Sequence, residues 1–249
     1  MNIINFADLH IINESDDSLL RFKYILSNKS FDVVVIAGDV CDNKNINIYE
    51  LLGYITDKPI IFCLGNHEFS YRSVETTLNT YRQLYNPQKW NVHCLDICNH
   101  YDVDNVRFIG NVLWYDGSMK DMKNQSNKFI LPSWLDSKIE NFDFKNENQN
   151  CIKQIKNNFN PNMINYLVTH CVPDISLNVH SEYPSYYNMY SGVDHLLNKF
   201  ENENIHFNYS ISGHTHRFAN KEINNTFCVN IGNDYALNSN EMKYFIFNI

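Results

Sequence analysis

Apolar and polar residues come in blocks along the first part of the chain, and each apolar block ends in the same way. Asn2 to Phe6 is a short apolar run that reads as a strand, followed by Ala7-Asp8-Leu9-His10. Asp16 and Asp17 stand where a helix cap belongs, and Leu19, Leu20, Phe22, Tyr24, Ile25 and Leu26 predict a helix packed on a sheet. Phe31 to Ala37 holds Val33-Val34-Val35-Ile36, apolar on both faces, as an interior strand covered from both sides requires. It runs into Gly38-Asp39-Val40-Cys41-Asp42. A helix over Ile48 to Ile55 follows, then a strand from Ile60 to Leu64 that ends in Gly65-Asn66-His67-Glu68, then a helix over Ser73 to Tyr85. Repeated strand, loop and helix predicts βαβ units, a parallel sheet and an α/β fold. In such sheets ligands lie beyond the carboxyl ends of the strands, and the three loops fall there.

The middle of the chain is less regular. Val92 to Leu95, Val106 to Gly110 and Val112 to Tyr115 read as short strands that begin a second sheet. Met119 to Pro161 is polar and rich in Asn and Lys, with apolar positions such as Trp134, Leu135, Ile139, Ile152, Ile155 and Phe159, and predicts helical segments with a long surface connection. Asn165 to Thr169 is a strand ending in His170. Pro173 to Tyr190 lacks periodicity but carries Tyr183, Tyr186, Tyr187 and Tyr190; Val193 to Phe200 predicts a helix. Tyr209 to Ile211 leads into Ser212-Gly213-His214-Thr215-His216, and Thr226 to Ile231 and Tyr244 to Ile249 are closing strands. With no internal repeat and no linker, residues 1–249 read as one domain.

Five apolar runs thus end in Asp, Asn or His, which yields the candidate metal ligands Asp8, His10, Asp39, Asn66, His170, His214 and His216. Taken singly, Asp8, Asp39 and Asn66 fit turns or caps equally well, and His170 fits a satisfied core histidine. Their common placement at strand ends carries the case. Mixed carboxylate, amide and imidazole donors suit Mn, Fe or Zn better than Ca or Mg. Seven such residues exceed one tetrahedral site and match two ions sharing a bridging carboxylate, a site about 3.5–4 Å across.

Composition narrows the partners. The net charge of −8 excludes a broad basic surface for nucleic acid but leaves room for a small phosphorylated substrate. The seven cysteines are odd in number and form no Cys-x-x-Cys pair, so reduced, mostly buried thiols are expected. No apolar run approaches the roughly 18 residues of a membrane helix. The first strand reaches a candidate ligand by Asp8, leaving no room for a cleavable signal peptide, and a cytoplasmic location is expected. Nothing in the sequence encodes an oligomeric state.

Asp8-x-His10, Gly38-Asp39-x-x-Asp42, Gly65-Asn66-His67-Glu68, Thr169-His170 and Gly213-His214-x-His216 resemble, in order, the five motifs of the calcineurin-like metallophosphoesterases. The resemblance runs from residue 8 to residue 216. It implies a four-layer αββα sandwich, two mixed β-sheets flanked by helices, with a dinuclear metal centre and a bridging hydroxide that attacks phosphorus. Carried over by motif, Asp8, His10 and His216 hold one cation, Asn66, His170 and His214 the other, and Asp39 bridges them. His67 is then a catalytic histidine that binds no metal and faces the scissile phosphate, oriented by Asp42.

Departures from the family's branches bear on substrate. Asn43 stands where protein Ser/Thr phosphatases of this superfamily usually carry Arg. Glu68 replaces the Asp usual in its DNA-repair nucleases, and His67 replaces the Arg of lipid-A precursor hydrolases. Phe108-Ile109-Gly110, Leu113-Trp114 and Ser191-Gly192-Val193-Asp194 resemble a branch of small bacterial-type phosphohydrolases. The implied activity is hydrolysis of a small phosphorylated or nucleotide-type compound. Phosphomonoester or phosphoprotein hydrolysis and a non-catalytic scaffold are the alternatives. Tyr183 to Tyr190 reads either as an aromatic lid or as a packed loop, and Arg72 and Arg217 either as phosphate contacts or as surface ion pairs. His93, His100, His180, His195 and His206 read as surface or packing histidines.

Overall fold

Val34 and Val35 are neighbours in sequence and both fully buried, yet they belong to different cores, and that split explains the layering. The computed structural model describes residues 1–119, 135–178, 185–233 and 241–249. A first sheet contains β1 (Asn2–Phe6), β2 (Val33–Ala37), β3 (Ile60–Cys63) and β4 (Val92–Cys94), all parallel, with β11 (Phe245–Asn248) antiparallel beside β1. Side chains alternate across a strand. Ile4, Phe6, Val34, Ile36, Ile60 and Phe62 face outward and pack on Phe22 and Leu26 of α1 (Asp17–Asn28) and Tyr49 and Leu52 of α2 (Ile48–Gly53). Ile3, Val33, Val35 and Ile61 face inward, against a second sheet.

That second sheet has the order β5 (His100–Val103), β6 (Val106–Asn111), β7 (Ile164–Thr169), β8 (Tyr209–Ser212), β10 (Thr226–Asn230) and β9 (Ala219–Ile223). Its inner face contributes Phe108, Tyr166, Val168, Ile211 and Val229 to the shared core. Its outer face, through Ile109, Leu167 and Cys228, packs on Ile155 of the helix Phe144–Asn158 and on Leu196, Leu197 and Phe200 of the helix Leu196–Asn202. Helix, sheet, sheet and helix make the four-layer αββα sandwich that the resemblance implies. One polar bridge crosses the middle: the fully buried Tyr166 hydroxyl donates to Asn5 Oδ1 at 2.7 Å.

Several sequence expectations need correction. Val92 to Cys94 pairs with β3 and so closes the first sheet. Val112 to Tyr115 is buried but not a strand; Leu113 turns the chain with φ 47°, and Asp96 clamps Val112 N at 3.0 Å. The helix expected from Val193 begins at Leu196, because His195 has φ 54° and breaks the right-handed run. The hairpin of β9 and β10 went unread, since β9 is a polar edge strand, although Asn224 and Asn225, at φ 49° and 59°, form the left-handed pair that tight hairpins favour. Trp134, His180 and Tyr183 lie outside the described residues. The seven cysteines are all free, and five are buried, as expected.

Candidate metal centre

The carboxyl ends of β1, β2 and β3 in one sheet and of β7 and β8 in the other meet at one edge of the sandwich, and the five loops interlock by backbone bonds. Asp8 N donates to Gly38 O at 3.1 Å, His10 N to Asp39 O at 2.9 Å, and Gly213 N to His170 O at 3.0 Å. Asp8, His10, Asp39, His214 and His216 all have positive φ, between 47° and 70°. Asp and His enter this region more readily than most residues, but each such position still costs on the order of 1 kcal/mol, and such strain concentrates at functional sites. Gly38 (φ 78°) continues the turn; a Cβ there would stand 2.3 Å from His170 Nδ1. Gly65 permits an equally close approach, 2.1 Å from its would-be Cβ to Asp39 Oδ1.

Asp39 is the hub. Its Oδ1 accepts from the backbone N–H of His67 at 3.0 Å. Its Oδ2 is buried with no hydrogen-bond partner, while His170 Nε2 lies 3.3 Å from it and His10 Nε2 and His67 Nε2 each 3.8 Å. Asp8 Oδ2 is likewise buried and unpartnered, and Asp8 Oδ1 accepts from His214 N at 2.9 Å. Ligand atoms of Asp8, His10, Asp39 and His216 all lie within 4.8 Å of one another. On the other side, Asn66 Oδ1 lies 2.9 Å from His170 Nε2 and 3.1 Å from His214 Nδ1. Two orphaned carboxylate oxygens facing several imidazole nitrogens is a donor set that fits cations, since buried carboxylates demand a positive partner.

The histidines are oriented from behind. His10 Nδ1 donates to Asp42 Oδ1 at 3.0 Å, His170 Nδ1 to Ala37 O at 3.0 Å, and His214 Nε2 to Tyr190 O at 2.9 Å. In each case the opposite ring nitrogen is left toward the cluster, the arrangement that fixes the tautomer of a metal-binding imidazole. Electrostatics favour positive charge here. Burial opposes ionisation of Asp39, but His170 and His67 hold its carboxyl well below the usual range. Burial also works against a charged His170, yet Asp39, with Asp8 and the Ala37 carbonyl, outweighs it and lifts its pKa to about 10. His214 is pushed down to about 3, by burial first and then by neighbouring His170. For Asp8, burial prevails and raises the pKa.

His67 sits on the single helical turn α3 (Asn66–Phe69), where the sequence suggested only a loop. Its Nδ1 donates to Asp42 Oδ1 at 2.8 Å, so one carboxylate oxygen serves both His67 and His10. Burial opposes protonation of His67, but Asp39 and Asp42 raise its pKa to about 9. The Asp42 carboxyl, despite its burial, is lowered to about 2 by its bonds to His10 and His67. Glu68 reaches back to Gly65 N at 2.7 Å and to Cys41 N at 2.9 Å, tying the second and third motif loops together.

All nine site residues named from the sequence therefore converge. The other candidates differ. Tyr190 is buried and orients His214 through its carbonyl, so this end of the tyrosine stretch is packed. Arg72 pairs through its backbone with Glu140, and the Arg217 carbonyl accepts from Gly232 N and Asn230 Nδ2. His93 is a buried packing residue, whereas His195 and His206 are exposed and face Asp174 and Glu201 respectively. Sequence reading missed Asp136, whose Oδ1 accepts from Asn66 Nδ2 at 2.7 Å. Trp134 and Leu135 stand directly before it, but they fall in the polar middle region and no glycine turn follows them to mark a strand end.

Residues 1–218 match the family described as calcineurin-like phosphoesterase. No curated protein matches the chain. Among solved structures, the phosphopantetheinyl hydrolase PptH from Mycobacterium tuberculosis is similar with a TM-score of 0.69 and 14% identity, over 92% of this chain and 88% of that one. GAP50, described as the anchor in the inner membrane complex of Plasmodium, is similar with a TM-score of 0.50 and 15% identity, over 93% of this chain and 71% of that one. Likeness at such identity is a likeness of fold. Among the described residues no helix is long and apolar enough to cross a membrane.

Proposed function

The chain belongs to the calcineurin-like phosphoesterase family, and on that premise we propose that it hydrolyses phosphoester bonds in a small phosphorylated or nucleotide-type substrate with the help of two divalent cations. The observation that carries this reading is the buried, unpartnered Asp39 Oδ2 ringed by three imidazoles. Asp8, His10 and His216 would hold one cation and Asn66, His170 and His214 the other, with the Asp39 carboxylate available to either. The mixed donor set suits manganese, iron or zinc. When bound, the cations supply positive charge for the phosphoryl oxygens and acidify a shared water.

The chain's own residues do the rest. His67 keeps its Nδ1 on Asp42 and is partly open to solvent (15% side-chain exposure), so its Nε2 is the atom that meets substrate. As an imidazolium it stabilises charge growing on the phosphoryl group and protonates the departing oxygen. Asp42 holds that ring and, through the same oxygen, the His10 ring. Asn43 supports a small-molecule substrate over a phosphoprotein: its amide donates to Ile12 O at 3.0 Å and its Oδ1 accepts from Asn45 N at 3.0 Å, which ties the side chain to the first-motif loop and to its own turn. The scaffold alternative has a precedent of fold in GAP50, but the intact His67–Asp42 pair favours catalysis. We read residues 1–249 as one domain acting in the cytoplasm.

The test compares p-nitrophenyl phosphate with bis-p-nitrophenyl phosphate after manganese loading, with Asp39→Asn as control. Diester cleavage that the variant loses supports the proposal and directs attention to nucleotides and other diesters. A monoester preference favours a phosphomonoesterase. No turnover of any phosphoester by a metal-loaded protein leaves the scaffold.

A further inference from the structure

Asp136 lies outside all five motifs, on a single 3-10 turn, Leu135–Lys138. The turn is strapped to the chain just beyond His67: Tyr71 N donates to Lys138 O at 3.0 Å, Glu140 N donates to Arg72 O at 3.1 Å, and Ser73 bridges Glu140. This brings a carboxylate that is only 2% exposed against the buried amide of Asn66 (7% exposed). Burial of such a group is costly unless it is paired, and among the described residues no lysine or arginine forms an ion pair with it.

The bond it makes decides which end of the amide faces the centre. A carboxylate can only accept, so the group 2.7 Å from Asp136 Oδ1 must be the Asn66 NH2, and Oδ1 must be the atom turned toward His170 and His214. Turned over, the amide would offer two N–H groups to the cluster, and an amide nitrogen is no ligand for a divalent cation. A negative charge behind the amide also polarises it toward its oxygen.

We propose that Asp136 is a positioning residue for the metal centre: it locks the Asn66 amide with Oδ1 toward the cation held by Asn66, His170 and His214, and strengthens that oxygen as a donor. This rests on the dinuclear reading above. Its test is manganese binding by calorimetry on the full chain, with Asp136→Ala and the near-isosteric Asp136→Asn, alongside the melting temperature of each chelated protein. The wild type binds two ions; Asp136→Ala weakens one of them by about 10- to 100-fold and leaves the other unchanged. Asp136→Asn, which retains an acceptor for the amide but no charge, falls between. Unaltered affinity for both ions in Asp136→Ala overturns the proposal, as does equal weakening of both ions with a lowered melting temperature, which indicates a purely structural role. Failure of the wild type to bind two ions instead refutes the dinuclear reading itself.

Discussion

Replacing His67 by Ala separates catalysis from metal binding. On the proposed reading the imidazole contributes Nε2 toward substrate and one hydrogen bond to Asp42, but the Asp39 carboxylate is held by the His67 backbone N–H, which the substitution leaves in place at 3.0 Å from Asp39 Oδ1. Asp42 still has His10 at 3.0 Å. Metal content should therefore survive. Loss of a positioned acid removes about 10²- to 10⁴-fold in rate, which is about 3–5 kcal/mol of transition-state stabilisation. The size should depend on the leaving group. A p-nitrophenolate departs without a proton, so its loss lies at or below the low end, whereas an alkyl phosphoester feels the full effect. The assay is kcat/KM for an aryl and an alkyl phosphoester, with bound manganese measured on the same samples. A variant that loses metal in step with activity, or that slows both substrates equally, would refute the assignment of His67 as a proton donor that binds no metal.

Three further outcomes follow from residues around the site. His93 is buried, bonded to Tyr85 and Asn91 and stacked 3.6 Å from Tyr101, and burial lowers its pKa to about 4. The folded chain therefore binds fewer protons than the unfolded one, so this contribution is intact above pH ~6.5 and is lost as pH falls toward 4, with a ceiling of about 3 kcal/mol. Urea midpoints of the chelated protein between pH 7 and 4.5 should fall less in His93→Gln; identical pH dependence contradicts the reasoning. Tyr166→Phe leaves Asn5 Oδ1 unpaired between the sheets and should cost about 1–3 kcal/mol in urea unfolding while metal affinity is retained. No loss of stability would mean that the bridge is dispensable. Gly65→Ala sets a methyl 2.1 Å from Asp39 Oδ1 and 2.4 Å from Asp39 N, so elemental analysis should find the variant depleted of manganese; full occupancy would show that the loop can yield.

How much of this was legible depends on what each residue's neighbours announce. Asp8, Asp39, Asn66, His170 and His214 follow buried apolar runs, and the strand that carries each one is local in sequence. Parallel strands align such endings at one edge, so the pattern alone brought them together. Asp136 sits on a 3-10 turn instead of at a strand end, and its position depends on backbone pairing with residues about 67 positions earlier, such as Tyr71 with Lys138. The same reason hid the role of Tyr190, which acts through its carbonyl rather than its ring. Val112 to Tyr115 misled because burial makes a coil as apolar as a strand. β9 misled in the opposite way, since Asn220, Lys221 and Glu222 are exposed along an edge that a buried pattern could not reveal.

The central claim is that Asp39 joins two cations into one centre. It is tested most directly by counting manganese per chain in wild type and Asp39→Asn after equilibration and removal of free ion, with circular dichroism to verify that both are folded. The account predicts two ions in the wild type and one or none in the folded variant. A wild type that holds fewer than two, or a variant that retains both, would contradict it.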